Sequence, residues 1–274
     1  MSTRGIRDVR VVRLHGAAAA PDDDRVAVEE PLEVRVNGVP FAVIMRTPGH
    51  DITLACGFLL AEDVVRQVDE VAAVEQCDEV ETEARGNVVN VTVTGAAAER
   101  VAARLGERRQ VITTAACGLC GRRTIESLRS RVARVVGAWT VPAAVVSSLP
   151  VALRAAQAAF DATGGIHAAA LCDLDGAVQL AAEDVGRHNA VDKIIGRALL
   201  DGALPLDRRL LVVSGRTSYE LVQKALLGGV PLVAGVSAPS SLAVDLARAS
   251  GITLCGFVRG QTMNVYAHPG RIAG

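Results

Sequence analysis

Alternating apolar and polar positions dominate the first part of the chain. LEVRVNGVPFAVIMRTPG carries two such runs on either side of Asn37-Gly38, a pair suited to a tight two-residue turn, and predicts a β-hairpin. Asp51 is placed to cap a helix over DITLACGFLLAEDVV. VAAVEQ and NVVNVTV predict two further strands, the second with Val89, Val91 and Val93 on one face. AAAERVAARLGERR follows as a helix. Ahead of these, the arginine-rich MSTRGIRDVRVVRLHG reads as an edge strand or a frayed tail rather than a basic arm. Residues 1–112 therefore predict a β-rich α+β domain.

ITTAACGLCGRR has neither helical nor strand periodicity, so residues 113–124 read as an exposed loop between two folded units. Beyond it the rhythm changes. SSLPVALRAAQAAFDATGG has Ser at a cap position, Pro in the first turn and Gly-Gly at the end, and predicts one helix. HAAALCDLDGAVQLAAEDV predicts a hairpin around Asp175-Gly176. Helices at HNAVDKIIGRALL, TSYELVQKALLGG and SSLAVDLARAS then alternate with strands at RLLVVSG, PLVAGVSA and ITLCGFVRG, and TMNVYAH closes the run. Such alternation implies parallel pairing through right-handed crossovers. Residues 125–274 therefore predict a three-layer α/β domain, and the fold class is α/β, or α+β overall.

Composition narrows the partners. Half of the 274 residues are hydrophobic while the net charge is −1, which excludes bulk attraction to nucleic acid or to an anionic membrane. The longest apolar stretches, VVGAWTVPAAVV and ALLGGVPLVAGV, are interrupted by Gly or Pro and fall short of a membrane span. The N-terminus lacks the apolar core of a secretory signal. The six cysteines are spaced unlike a secreted disulfide framework, so the expected compartment is the reducing cytoplasm, with most thiols free.

Three groups of residues could carry chemistry. The sharpest is Cys117-Gly118-Leu119-Cys120. Structural zinc or an iron–sulfur cluster needs further ligands in a paired motif, and Cys56, Cys77, Cys172 and Cys255 are isolated and mostly in apolar runs. Zinc shared with His167 or His188 is the remaining metal reading, and no permanently bound metal is expected. Arg122 and Arg123 stand beside the thiols in sequence and favour thiolate or hydrodisulfide. Dithiol redox chemistry and persulfide carriage fit those local features equally.

The second group is a pair of strand-to-helix turns, Ser214-Gly215-Arg216-Thr217-Ser218 and Ser237-Ala238-Pro239-Ser240-Ser241. Turns of this kind hold anions at the carboxyl ends of α/β strands, and Arg216 adds a phosphate donor. They serve equally as ordinary helix caps. The third is the polar knot Glu183-Asp184-Val185-Gly186-Arg187-His188-Asn189. There Asn189 or His188 could cap a helix, and Glu183 could pair with Arg187. Phe257-Val258-Arg259-Gly260-Gln261-Thr262 is the turn joining the last two strands.

In this order and spacing, CGLCG, EDVGRHNAVDK, SGRTSYELVQKA, GVSAPSSLAVDLA and GFVRGQTMNVY resemble the formate dehydrogenase accessory sulfurtransferases, the FdhD family, from about residue 30 to the C-terminus. The resemblance implies a cytidine deaminase-like second domain and a sulfurtransferase acting as a persulfide carrier. Sulfur would pass from a cysteine desulfurase to Cys117, with Cys120 assisting. It would go on to a molybdenum bis(guanine dinucleotide) cofactor destined for formate dehydrogenase. The resemblance further implies a homodimer. Phe257, Val258, Arg259, Gly260, Gln261 and Thr262 would contact the cofactor, and the turns at Ser214, with Arg216, and at Ser237 could hold its phosphates. Deaminase chemistry is not expected, because Ala168 and Ala169 follow His167 where a catalytic Glu would be required. Two other readings fit the same residues: a cofactor-binding chaperone without sulfur chemistry, and a dithiol oxidoreductase.

Overall fold

The computed structural model describes residues 5–77, 86–108, 135 and 138–274. Cys117 and Cys120, with the loop and flanking segment around them, lie outside the described residues.

The chain opens with a two-stranded antiparallel ribbon, β1 (Ile6–His15) and β2 (Ala18–Ala27). Its second strand contains AAAPDDDRVA, a run without apolar alternation, so the pairing was not legible from sequence. A four-stranded sheet follows, built from β3 (Glu30–Val36), β4 (Val39–Arg46), β5 (Val71–Gln76) and β6 (Val88–Val93) in the order β4-β3-β6-β5. The turn between β3 and β4 is the expected one. Asn37 and Gly38 both take positive φ, 51° and 78°, which matches the twist of an antiparallel pair. Helix α1 (Asp51–Ala61) crosses the sheet, and α2 (Ala96–Arg108) follows β6.

Asp51 does not cap α1. The cap position falls on His50 in a left-handed conformation, and Asp51 is the first helical residue. Its carboxylate is held by Arg46, with Nε–Oδ1 2.9 Å and Nη2–Oδ2 3.0 Å, in a buried bidentate pair. A charge-assisted fork outcompetes a neutral backbone cap.

The second half is a six-stranded mixed sheet of order β13-β12-β11-β10-β8-β9. Its strands are β8 (His167–Cys172), β9 (Val178–Asp184), β10 (Leu210–Val213), β11 (Leu232–Gly235), β12 (Thr253–Arg259) and β13 (Thr262–Ala267). β10, β11 and β12 run parallel, as the strand–helix alternation requires, and antiparallel partners close both edges. One face is covered by α5 (Arg187–Leu200), α6 (Tyr219–Leu227) and α7 (Ser241–Ser250). The other carries α3 (Ala143–Ala155). Along β10 the alternation is complete: Leu211 and Val213 join the first core, Leu210 and Val212 the second. Short strands β7 (Val141–Pro142) and β14 (Ile272–Ala273) pair at the margin.

The segment expected as one helix is two. α3 begins at Ala143, with Pro142 at the cap, and carries Pro150 in its interior. It breaks at Ala156–Gln157, and α4 (Ala158–Thr163) ends on Gly164 at φ 65°. Burial of Val146, Leu149 and Leu153 against the sheet holds the helix despite the hydrogen bond that Pro150 removes.

The four-stranded sheet, α1, α5 and the helical face of the larger sheet share one hydrophobic core. At its centre α1 and α5 approach to backbone contact. A Cβ on Gly196 would lie 1.9 Å from the Thr53 carbonyl oxygen, and one on Gly57 would lie 2.0 Å from that of Asp192. Only glycine permits this crossing. It brings the end of β4 against the start of α5, where the polar knot lies.

Candidate functional site

The polar knot divides into a lock and a lining. Asp184 ends β9 and is fully buried. Its Oδ2 accepts from Lys193 Nζ at 2.7 Å and from the Thr47 N–H at 3.1 Å. Its Oδ1 accepts from the Gly186 N–H and from Asn189 Nδ2, both at 2.8 Å. Lys193 also donates to the Thr47 carbonyl, and Asn189 to the Met45 carbonyl. These residues bind the end of β4 to α5. Neither His188 nor Asn189 caps α5, whose cap position is Gly186. Glu183 does not pair with Arg187; its carboxylate accepts the Ala159 and Phe160 N–H groups at the start of α4.

Arg187 and His188 line a cavity of about 320 Å³ between α1, α5 and α6, with Glu62, Glu220 and Lys224 among its other walls. His188 Nε2 lies 3.0 Å from Ser218 Oγ and 3.6 Å from Glu220 Oε2. Burial, with the charges of Lys224 and Arg187 adding to it, lowers the His188 pKa to about 4, so the ring is neutral at pH 7. Asp192 is enclosed by Lys224 at 2.6 and 2.7 Å; burial nevertheless pushes its carboxyl up to about 6.

A second cleft, of about 1020 Å³, opens at the carboxyl ends of β10 and β12. Ser214, Val258, Arg259 and Gly260 line it together, so the turn after β10 and the hairpin between β12 and β13 meet there. The Ser214 hydroxyl accepts from the Ala168 N–H at 2.9 Å, which leaves its own proton free to donate. Phe257, Gln261 and Thr262 stand beside the cleft on the exposed part of the hairpin. A bulge between Gly256 and Arg259, with Phe257 at φ 52°, turns Val258 inward and sets the Arg259 guanidinium 5.7 Å from the Phe257 ring centre. Arg216 is exposed and does not line the cleft. Ser240, in the other turn, is a plain cap that accepts the Ala243 N–H.

The opposite wall comes from α3 and α4. Arg154 lies 4.8 Å from the Phe160 ring centre and pairs with Asp161, and Gln157 is buried beneath them. Sequence reading missed these residues, since nothing local distinguishes them from an ordinary amphipathic helix. His167, at the start of β8, lines both cavities. Burial and the charge of Arg187 depress its pKa.

Among the described residues no group of His, Cys, Asp and Glu is placed to hold a metal ion. Cys56, Cys172 and Cys255 are buried, and burial pushes their thiols up to about 12, 11 and 12. They behave as small apolar side chains. No helix of the described chain is long and apolar enough to cross a membrane.

The model of the FdhD/NarQ family matches residues 27–273, which include every segment that builds the two cavities. The chain belongs to the FdhD/NarQ family. Among its relatives is the sulfur carrier protein FdhD of Streptomyces avermitilis, 47% identical over 272 residues, 96% of this chain and 94% of that one. That of Anaeromyxobacter dehalogenans is 49% identical over 271 residues, 96% and 92% of the two chains. The fold matches a solved chain from Desulfotalea psychrophila, described as a formate dehydrogenase accessory protein, with TM-score 0.77. That likeness covers 98% of this chain and 99% of the other at 23% identity, and it concerns the fold alone. Family membership agrees with the resemblance carried by the five motifs.

Proposed function

We propose that the protein is the sulfur carrier of formate dehydrogenase maturation, taking sulfur from a cysteine desulfurase and delivering it to a molybdenum bis(guanine dinucleotide) cofactor. The Cys117 thiolate attacks the outer sulfur of the desulfurase persulfide. The donor's S–S bond breaks, the donor leaves as thiolate, and Cys117 keeps the sulfur as a persulfide. In the second step the Cys120 thiolate attacks the inner sulfur. A Cys117–Cys120 disulfide forms, and the outer sulfur departs as sulfide to the cofactor's molybdenum. A cellular dithiol then reduces the disulfide.

The observation that supports the reading most directly is the meeting of Ser214, Val258, Arg259 and Gly260 around one cleft. These residues come from two of the family motifs. The cleft has the apolar floor and sparse polar rim of a small-molecule site. Val151 and Phe160 offer apolar surface to a purine, while Arg259, Ser214 and His167 offer donors to its phosphates. Relatives named sulfur carrier proteins cover almost the whole chain, which supports the sulfur-carrying half of the reading.

Intact-protein mass spectrometry after incubation with a cysteine desulfurase and cysteine tests it. The wild-type chain is expected to gain one sulfur atom and Cys117→Ala none. A wild type that gains no sulfur, or a variant that gains as much, overturns the carrier role.

A further inference from the structure

Glu183 and Asp184 stand next to each other at the end of β9, so their side chains leave opposite faces of the sheet. Asp184 points to the face covered by α5 and closes the lock on Thr47, Asn189 and Lys193. Glu183 points to the other face, toward α4. Its backbone carbonyl accepts from Lys193 Nζ at 3.2 Å, which ties the strand end carrying both carboxylates to the lock.

The start of α4 depends on that second carboxylate. A helix begins with N–H groups that have no partner within it, and a Ser, Thr, Asp or Asn at the cap position ordinarily accepts one of them. Here the cap position is Gln157, whose side chain makes no such bond. The N–H groups of the second and third helical residues, Ala159 and Phe160, donate instead to Glu183 Oε2 and Oε1, both at 2.8 Å. These are the groups a local cap would serve, yet their acceptor lies 24 and 23 residues further along the chain. A local cap satisfies its donors wherever the helix sits. A remote one does so only when α4 occupies this place against β9, so Glu183 stabilises one placement of the helix.

That placement shapes the larger cleft. Phe160 and Asp161 of α4 line it together with Arg154 of α3. Arg154 stacks on the Phe160 ring and pairs with Asp161, so guanidinium, ring and carboxylate form one wall. We propose that Glu183 is a positioning residue for nucleotide binding, a long-range cap that holds Phe160 and Arg154 where the cleft can grip a flat base. This rests on the cofactor reading of the cleft and adds to it a residue that does not itself line the cavity.

Calorimetric titration of the full chain with GDP, which carries a base and a diphosphate, tests the role. Glu183→Ala is expected to weaken GDP by about tenfold, the scale of a lost cap. Glu183→Gln, which keeps one acceptor oxygen, is expected to recover part of the loss. It also supplies the comparison should the Ala variant fail to fold. Phe160→Leu separates positioning from general stability. In that background Glu183→Ala is expected to cost little further affinity, because the surface it positions is already gone. Equal GDP affinity in wild type and Glu183→Ala, or the same fold-loss with and without Phe160, overturns the role. GDP failing on wild type would sink the cofactor reading. In that case hydrogen exchange of the Ala159 and Phe160 amides decides Glu183: faster exchange confined to α4 in Glu183→Ala supports the long-range cap, and unchanged exchange overturns it.

Discussion

Asp184 and Lys193 form an ion pair at 2.7 Å with 0% and 2% of their side chains exposed, and both also bind the backbone of Thr47. The pair therefore fastens the residue that follows β4 to the helix that starts within the polar knot. Lys193→Met leaves Asp184 charged and buried, which costs about 3–5 kcal/mol. Urea and thermal denaturation should show it, with a fall in Tm of roughly 10 °C for a chain of this size. A change of less than about 1 kcal/mol would mean that the pair carries no such role.

Gly196→Ala is expected to destabilise the protein although alanine is the better helix former. Helix propensity alone favours the substitution by about 1 kcal/mol. The added Cβ would meet the Thr53 carbonyl oxygen at 1.9 Å and the Gly57 nitrogen at 2.5 Å, both backbone atoms that cannot rotate away. Overpacking of this kind costs about 3 kcal/mol. The sign of the shift in the urea midpoint decides between the two effects.

His188 sets a pH dependence of stability. Its folded pKa is lowered to about 4, against an ordinary value of 6.5, chiefly by burial. Between those values the unfolded chain binds a proton that the folded chain does not. Stability from this residue is thus present above pH 6.5 and is lost as pH falls toward 4, on the order of 3 kcal/mol in all. Asp192, raised to about 6 by burial, works in the opposite sense over part of that window. The readout is therefore the difference between wild type and His188→Gln. Wild type should lose more stability than the variant between pH 7 and pH 5, and parallel profiles would contradict the assignment.

Much of the fold was legible because its signals are local. Asn37-Gly38 specifies a hairpin turn through its own backbone freedom, and both residues take the expected positive φ. The parallel order of β10, β11 and β12 followed from helices too long to be hairpin loops. Where reading failed, a distant contact prevailed. Asp51 gave up its capping role to Arg46, and a helix expected to start near Pro150 began at Ala143 because the sheet buries Val146, Leu149 and Leu153.

The candidate site divides in the same way. Residue types, spacing and the five motifs named the family and marked Ser214 and the Phe257–Thr262 hairpin, because such chemistry is written in short contiguous segments. Tertiary structure decided which of those residues share a cleft, since a wall is made where α3 and α4 fold over strand ends distant in sequence. It also divided the knot: Asp184, Asn189 and Lys193 close on β4, while Arg187 and His188 are left lining a cavity. A sequence displays the charge of every arginine alike. Whether a carboxylate pairs with it depends on packing across the whole molecule: Arg46 meets Asp51 in a buried fork, while Arg187 forms no ion pair among the described residues.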